Sequence, residues 1–515
     1  MTNKERYIPA AMTLVFAVVV WCFWSLKYPY ALAFQEQLQL FLFDKEFLME
    51  RITMPAGIAR YVAEFIVQFY NRVLVGGALI ALLYAALQLS TWQLARRACS
   101  SRLTAYILSF IPVWQLWFYM GDEQVKLTFA VALLFASVAM MCCPQKTKRV
   151  AMAAYIAVVT PLLTWCAGPT VLVFALYVTL RDNVRKPYSW ISLLAIIYAI
   201  FCLLASGRMT AVPMERMFYG IHYSLVVNQM PWMQYTVMLL FAVVPVLLTF
   251  IPKAKALKND VIAAAGIAIA CVVASFVIFP HSYRAADYEV MKYDAMVRAQ
   301  KWDDIIATAE KTSPHTPLTV ATLNLALAVK GQLNERANQF YQNGWQGAFP
   351  QFNKDYEVSF MTAEIYFYLG LVNSAQRLDF EAMEALPDNA KSARGVKRLA
   401  ETNIINGQYA VARKYLMLLQ KTMFYRGWAT RTMSLLDNPK AVAAHQLYGR
   451  LQELHLQKDF MFSDSEIDKI MGQLLMANKD NTLAMQYLLF LPQLEGNKQK
   501  YAMYSNFLRG LYDKK

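Results

Sequence analysis

VAMAAYIAVVTPLLTWCAGPTVLVFALYVTL, residues 150–180, is an almost purely apolar run, and how it is divided sets the topology of the whole chain. A membrane helix needs about 20 residues, so 31 is long for one upright span and short for two. Trp165-Cys-Ala-Gly-Pro169 lies near the middle, and Gly followed by Pro breaks a helix. The reading predicts a tight turn there between two short helices, with one long tilted helix as the alternative. With the turn counted, apolar windows of roughly 17–20 residues give nine spans, at 8–26, 73–91, 103–120, 127–143, 150–165, 168–180, 189–205, 232–251 and 260–279.

Charge supports that parity. With the N-terminus placed inside, the inner segments carry 14 Lys and Arg and the outer loops 8, although the outer loops are longer in total. Cytoplasmic loops attract the excess of cations, so nine spans put the N-terminus inside and the tail outside; merging 150–180 into one span would break the alternation. The apolar blocks stop near residue 280, and 281–515 has helical periodicity with ordinary charge. The sequence therefore predicts an all-α protein of two domains, a polytopic membrane domain (1–280) and a soluble helical domain (281–515).

Of the net charge of +15, +11 belongs to residues 1–280 and only +4 to the tail. That pattern fits a membrane protein with basic inner loops, and nucleic-acid binding is not indicated. All seven cysteines precede residue 280, which excludes a disulfide scaffold for the tail. Cys142 and Cys143 lack neighbouring His or carboxylates and read as small apolar packing residues. No cleavable transit peptide is evident, so the expected compartment is a bacterial inner membrane with a periplasmic tail. Ala31 and Ala33 resemble a signal-peptidase site, but the long aromatic-rich run before them reads as an uncleaved anchor.

The first outer loop, 27–72, is far longer than a connection requires. Ile58, Tyr61, Val62, Phe65, Ile66 and Phe69 recur as one helix face, with Arg60, Glu64 and Gln68 on the other. Leu32 to Met49 is also helix-compatible and carries Glu36, Asp44 and Glu46, with Pro55-Ala-Gly57 as the break. Two helices lying in the membrane interface, which is where the chain would meet lipid, satisfy both patterns. The second outer loop, "GDEQVK" (121–126), sets Asp122 and Glu123 side by side between apolar blocks.

A first span followed by a long outer loop with interfacial helices and an acid near its start, then further acids between spans three and four, resembles the C-type (GT-C) glycosyltransferase superfamily over about residues 1–145. The chain departs from better-known members in lacking an adjacent acidic pair in loop one. The resemblance implies a sugar transferase using a polyprenyl-phosphate-linked donor, with Glu36, Asp44, Asp122 and Glu123 as acidic candidates. One would serve as base toward the acceptor hydroxyl, and others would hold substrate or a divalent metal. Arg208, Arg216, His222, His281 and Arg284 are the expected phosphate or sugar contacts on the same side. Plainer roles are also open: solvated loop acids, or acids at the start of span four, where negative charge is favoured by about 0.3–1 kcal/mol.

In the tail a Gly recurs with a large residue two later and Ala five later: Gly370, Val372, Ala375; Gly407, Tyr409, Ala412; and Gly331, Leu333 with Ala337 displaced by one. Spacings of 39 and 37 lie near the tetratricopeptide period of about 34, and the tail resembles degenerate tetratricopeptide (TPR) repeats, with 481–510 as a closing pair. Between 422 and 466 the pattern blurs into aromatic segments, insertions packing back on the superhelix or touching the membrane domain. The resemblance implies a concave surface for a protein or peptide partner. The competing function is thus a non-enzymatic membrane-anchored scaffold for envelope assembly or secretion. A transporter fits poorly, since no charge lies in the middle of any span.

Overall fold

The computed structural model describes residues 3–96, 102–144, 149–185, 190–210, 212–225, 231–250, 282–459 and 466–513, with a few isolated positions between 262 and 273. Among these residues the structure is all helix and turn, apart from one isolated antiparallel bridge between Val125 and Ser224. Five apolar helical stretches are long enough to cross a membrane: Pro9–Lys27, Val73–Arg96, Arg149–Val184, Ser192–Met209 and Trp232–Phe250. This is consistent with a multi-pass membrane protein. Leu103–Tyr119 and Leu127–Cys142, expected as spans, are apolar but shorter. The first of them is broken at Ser109 and Phe110, just ahead of Pro112, which sits in the opening turn of the helix that resumes at Ile111. The expected span at 260–279 lies almost wholly outside the described residues.

The 150–180 run folds back on itself. Helix Arg149–Ala167 ends, Gly168 takes a φ of +67° at the start of a short 3-10 turn, and helix Val171–Arg185 returns. The rings of Tyr155 and Phe174 lie 6.0 Å apart, and an Arg181 guanidinium nitrogen lies 3.7 Å from Met152 Sδ. In an unbroken helix at 1.5 Å per residue, the first pair would be about 28 Å apart.

By its contacts the chain divides into two units. The first comprises Met1–Glu36 and Phe43–Arg284; the second comprises Gln37–Leu42 and Ala285–Lys515. At the centre of the first is helix Leu127–Cys142, packed against Gly57–Val67, Val73–Arg96, Arg149–Ala167 and Val171–Arg185. Its Ala130, Ala132 and Ala136 are fully buried, and such small side chains let neighbouring backbones approach closely. Gln88, fully buried on helix Val73–Arg96, accepts from Thr13 Oγ1 at 3.0 Å and donates to Ser109 Oγ at 2.9 Å. A polar group within a bilayer needs such internal partners.

Loop one differs from its expected form in two ways. Leu32–Met49 is not one helix but two, Pro29–Gln37 and Lys45–Ile52, separated by a non-helical stretch. The reason is that Gln37–Leu42 is drawn into the second unit, while Asp44 caps the next helix by accepting from Glu46 N at 3.1 Å. Helix Gly57–Val67 also turns its polar side inward. Arg60 and Gln68 are buried, whereas Phe65 is exposed and Ile58, Tyr61, Val62, Ile66 and Phe69 are only half-buried. Glu64 joins Arg60 (2.6 Å) and Arg51 (2.9 Å). Burial alone would raise the Glu64 pKa, but the two arginines outweigh it and hold the carboxyl below its usual range.

The second unit is built from helix pairs. Gly331, Gly370 and Gly407 adopt φ of +75°, +94° and +71°, each ending a first helix, and the second helix starts two residues later at Leu333, Val372 and Tyr409. That is the left-handed cap geometry open to Gly without a Cβ penalty, and it accounts for the recurrence in the sequence. Ala337, Ala375 and Ala412 are buried. The sequence expects 481–510 simply to close the stack. In the structure Gln486 on helix Thr482–Leu494 donates to Ala328 O at 2.8 Å and accepts from Leu333 N at 3.1 Å, and Asn481 donates to Leu369 O at 3.0 Å. This late helix therefore lies against early ones, whereas an open solenoid touches only neighbouring repeats. The described part of the blurred region, 422–459, packs back within this unit: Asp459, buried, accepts from the backbone N–H groups of Asn373 (2.9 Å) and Ser374 (3.1 Å) at the start of helix Val372–Glu384.

Candidate functional site

The loop that carries the two adjacent acids is held on three sides within the first unit. From loop one, Gln35 Nε2 donates to the carbonyls of Glu123 (3.0 Å) and Val125 (3.1 Å), and Tyr28 OH donates to Gly121 O at 3.2 Å. From the 206–231 loop, Tyr223 O accepts from Lys126 N at 2.8 Å, and Leu225 N donates to Gln124 O at 2.7 Å. From the stretch after residue 281, Ser282 crosses so near Gly121 that a Cβ there would meet its backbone oxygen at 2.7 Å. Only Gly fits at 121. Loop one therefore does fold over "GDEQVK", because that loop exposes main-chain carbonyls and N–H groups that its neighbours satisfy.

The candidate acids separate by role. Glu123 is buried, and its Oε1 lies 3.9 Å from an Arg284 guanidinium nitrogen, Arg284 itself being largely exposed. Glu36 is buried at the end of helix Pro29–Gln37, next in sequence to the Gln35 that clasps Glu123. Asp122 organises its own turn, Oδ1 accepting from Gln124 N at 2.9 Å. The helix that follows starts at Leu127 with no acid in its first turn, so neither acid serves it as a helix-start charge. Asp44 is a helix cap, as described above. The structure thus brings Glu123 and Arg284 together, and Glu36 is buried on the helix that carries Gln35.

The predicted cations and imidazoles also divide. His222 is buried beside Tyr223, whose hydroxyl bonds Ala167 O and reaches Thr170 Oγ1 at 3.5 Å, tying this loop to the 168–170 turn. Arg208 and Arg216 are exposed, on helices Trp190–Met209 and Met214–Tyr219. His281 lies outside the described residues. Among the described residues no group of three His, Cys, Asp or Glu is arranged to hold a metal ion, so the expected divalent metal has no donor set there. Sequence reasoning missed Gln35 and Tyr28, both neutral residues that hold the acidic loop; Tyr223 it offers as a wall for a sugar, whereas in the structure its backbone oxygen accepts from Lys126 N. It also missed the Arg51–Glu64–Arg60 trio, two buried arginines on a half-buried carboxylate, although Arg60 and Glu64 at i, i+4 were a legible signal.

Residues 6–507 match a family described as "Family of unknown function (DUF6057)", and the chain belongs to it. No curated protein matches the chain, and no solved structure does.

Proposed function

We propose that this member of a family of unknown function is a multi-pass membrane transferase of the C-type kind. It would move a sugar from a polyprenyl-phosphate-linked donor at the outer face of a bacterial inner membrane, with the helical unit outside as a TPR-like module for a partner or acceptor. The observation that carries the reading is the interlock at Glu123: the helix bearing Glu36, the loop bearing His222 and the stretch bearing Arg284 all converge on the second acidic loop. In this reading Glu123 takes the proton from the acceptor hydroxyl as that oxygen attacks the anomeric carbon. The bond to the donor phosphate breaks, and Arg284, exposed and only 3.9 Å from the carboxylate, offsets the charge left on the phosphate. Glu36 serves as the second acid.

The test is Glu123→Gln and Glu36→Gln in the full-length chain. Each is expected to abolish a glycan phenotype and to accumulate lipid-linked saccharide, at unchanged protein level in the membrane. The second reading, a non-enzymatic scaffold for envelope assembly or secretion, draws support from Asp44 and Asp122, two of the four acids, having turn and cap roles. If both Gln variants behave as wild type while removal of 285–515 abolishes the phenotype, the scaffold reading stands and the transferase falls.

A further inference from the structure

The six residues Gln37–Leu42 come from loop one yet pack as part of the helical unit. Their anchor is Gln37, 1% exposed. Its Nε2 donates to Asp294 Oδ2 at 3.1 Å, its Oε1 accepts from Arg394 Nη1 at 3.1 Å, and its backbone oxygen accepts from Ser392 Oγ at 2.6 Å. Two residues on, Gln39 O accepts from Ala393 N at 3.2 Å. Leu40 is buried in the core of the helical unit, and Leu42 packs against that core.

The geometry points to a peptide-binding groove, formed by Asp294, Ser392, Ala393 and Arg394, that selects a carboxamide side chain followed by an apolar residue three positions later, and whose resident ligand is the chain's own Gln37–Leu42. The selectivity follows from the two charges that meet the anchor. Arg394 requires an acceptor and Asp294 requires a donor, and both charged groups are buried and already paired to each other at 2.7 Å. A carboxamide supplies one of each and adds no net charge. A glutamate in its place would turn an oxygen toward Asp294, and a lysine would direct an ammonium at Arg394; each puts like charges together in a desolvated site. The backbone contacts to Ser392 and Ala393 lie at the start of helix Ala393–Ile405 and take any residue, so they set register rather than identity. An external partner would therefore have to offer a Gln or Asn with the same spacing and displace this segment. The inference stands whether or not the transferase reading does.

The test uses the full-length protein in detergent micelles and a fluorescent peptide with the sequence of residues 34–43, read by anisotropy. Gln37→Ala with Leu40→Ala in the chain weakens the resident segment, and this variant is expected to bind the peptide at least tenfold more tightly than wild type. Peptides with Glu or Lys at the Gln37 position are expected to bind at least tenfold more weakly than the parent. Hydrogen exchange over 393–405 checks that the variant's helix is intact. Equal affinity for all three peptides, or no binding by a variant with that helix protected, overturns the proposal. Should the helix be lost, wild-type protein decides: excess parent peptide must speed exchange across 37–42 while the Glu peptide does not, and no difference between them overturns it.

Discussion

Replacing Glu364 with Gln tests the charged heart of the helical unit. Glu364 is buried and receives Arg394 at 3.0 Å and Arg398 at 2.5 Å; Arg394 also holds Asp294, and Arg398 also holds Glu401 at 2.8 Å. Burial opposes the charge on Glu364, but the two arginines prevail and bring its pKa down to about 2 from an ordinary 4.5. At about 1.4 kcal/mol per pKa unit, that difference corresponds to about 3 kcal/mol in favour of the folded state at neutral pH. Breaking a buried pair by removing one partner costs about 3–5 kcal/mol, a consistent range. Because the folded pKa is the depressed one, the contribution is present above the unfolded pKa and is lost as pH falls through the folded value, from about 5 to about 2. Hydrogen exchange of helices Tyr356–Leu369 and Ala393–Ile405 in the full-length protein, followed from pH 7 down to pH 3, reads this locally. Glu364→Gln is expected to lower opening free energies by about 3 kcal/mol at pH 7, with the gap to wild type narrowing in acid. A cost below about 1 kcal/mol at pH 7, the scale of an exposed pair, or a gap that does not change with pH, would refute the reasoning.

Asp379 carries the opposite sign. It is buried, its Oδ2 has no hydrogen-bond partner among the described residues, and burial pushes its pKa well above the usual carboxylate range. Stability from its protonated form is full below the unfolded pKa and is lost as pH rises through the folded one. Asp379→Asn should therefore stabilise the unit at high pH, and the gain should vanish toward pH 4; thermal unfolding of the two proteins across that range checks it. Gly370→Ala should destabilise by about 1–2 kcal/mol, since φ is +94° and the new Cβ would sit 3.1 Å from Leu454 O; chemical denaturation measures it.

What could be read from the sequence follows from what determines each feature. The reversal near Gly168 and the caps at Gly331, Gly370 and Gly407 were legible because a local backbone demand fixes a residue type. The apolar stripe on Gly57–Val67 was legible as helix, but its facing was not. Periodicity gives faces, whereas the choice of face came with Arg51, nine residues upstream of Arg60, which supplies the second cation to the half-buried Glu64. The grip on "GDEQVK" was hidden for a related reason. Gln35, Tyr28 and Tyr223 act on it through backbone groups, and no pattern in the partner's side chains reports such contacts.

The capture of Gln37–Leu42 by the helical unit is the least legible feature and bears most on function. Leu38, Leu40 and Leu42 read as continuation of an amphipathic helix, and nothing nearby marks Gln37 as an anchor. Its partners Asp294, Ser392 and Arg394 lie more than 250 residues away in sequence. They are recognisable only once the network shows Asp294, Glu364 and Glu401 matched by Arg298, Arg394 and Arg398. Where buried acids already meet arginines, a neutral donor-and-acceptor side chain joins without adding charge, whereas the buried Asp379, whose Oδ2 has no hydrogen-bond partner among the described residues, is driven toward its protonated form chiefly by desolvation.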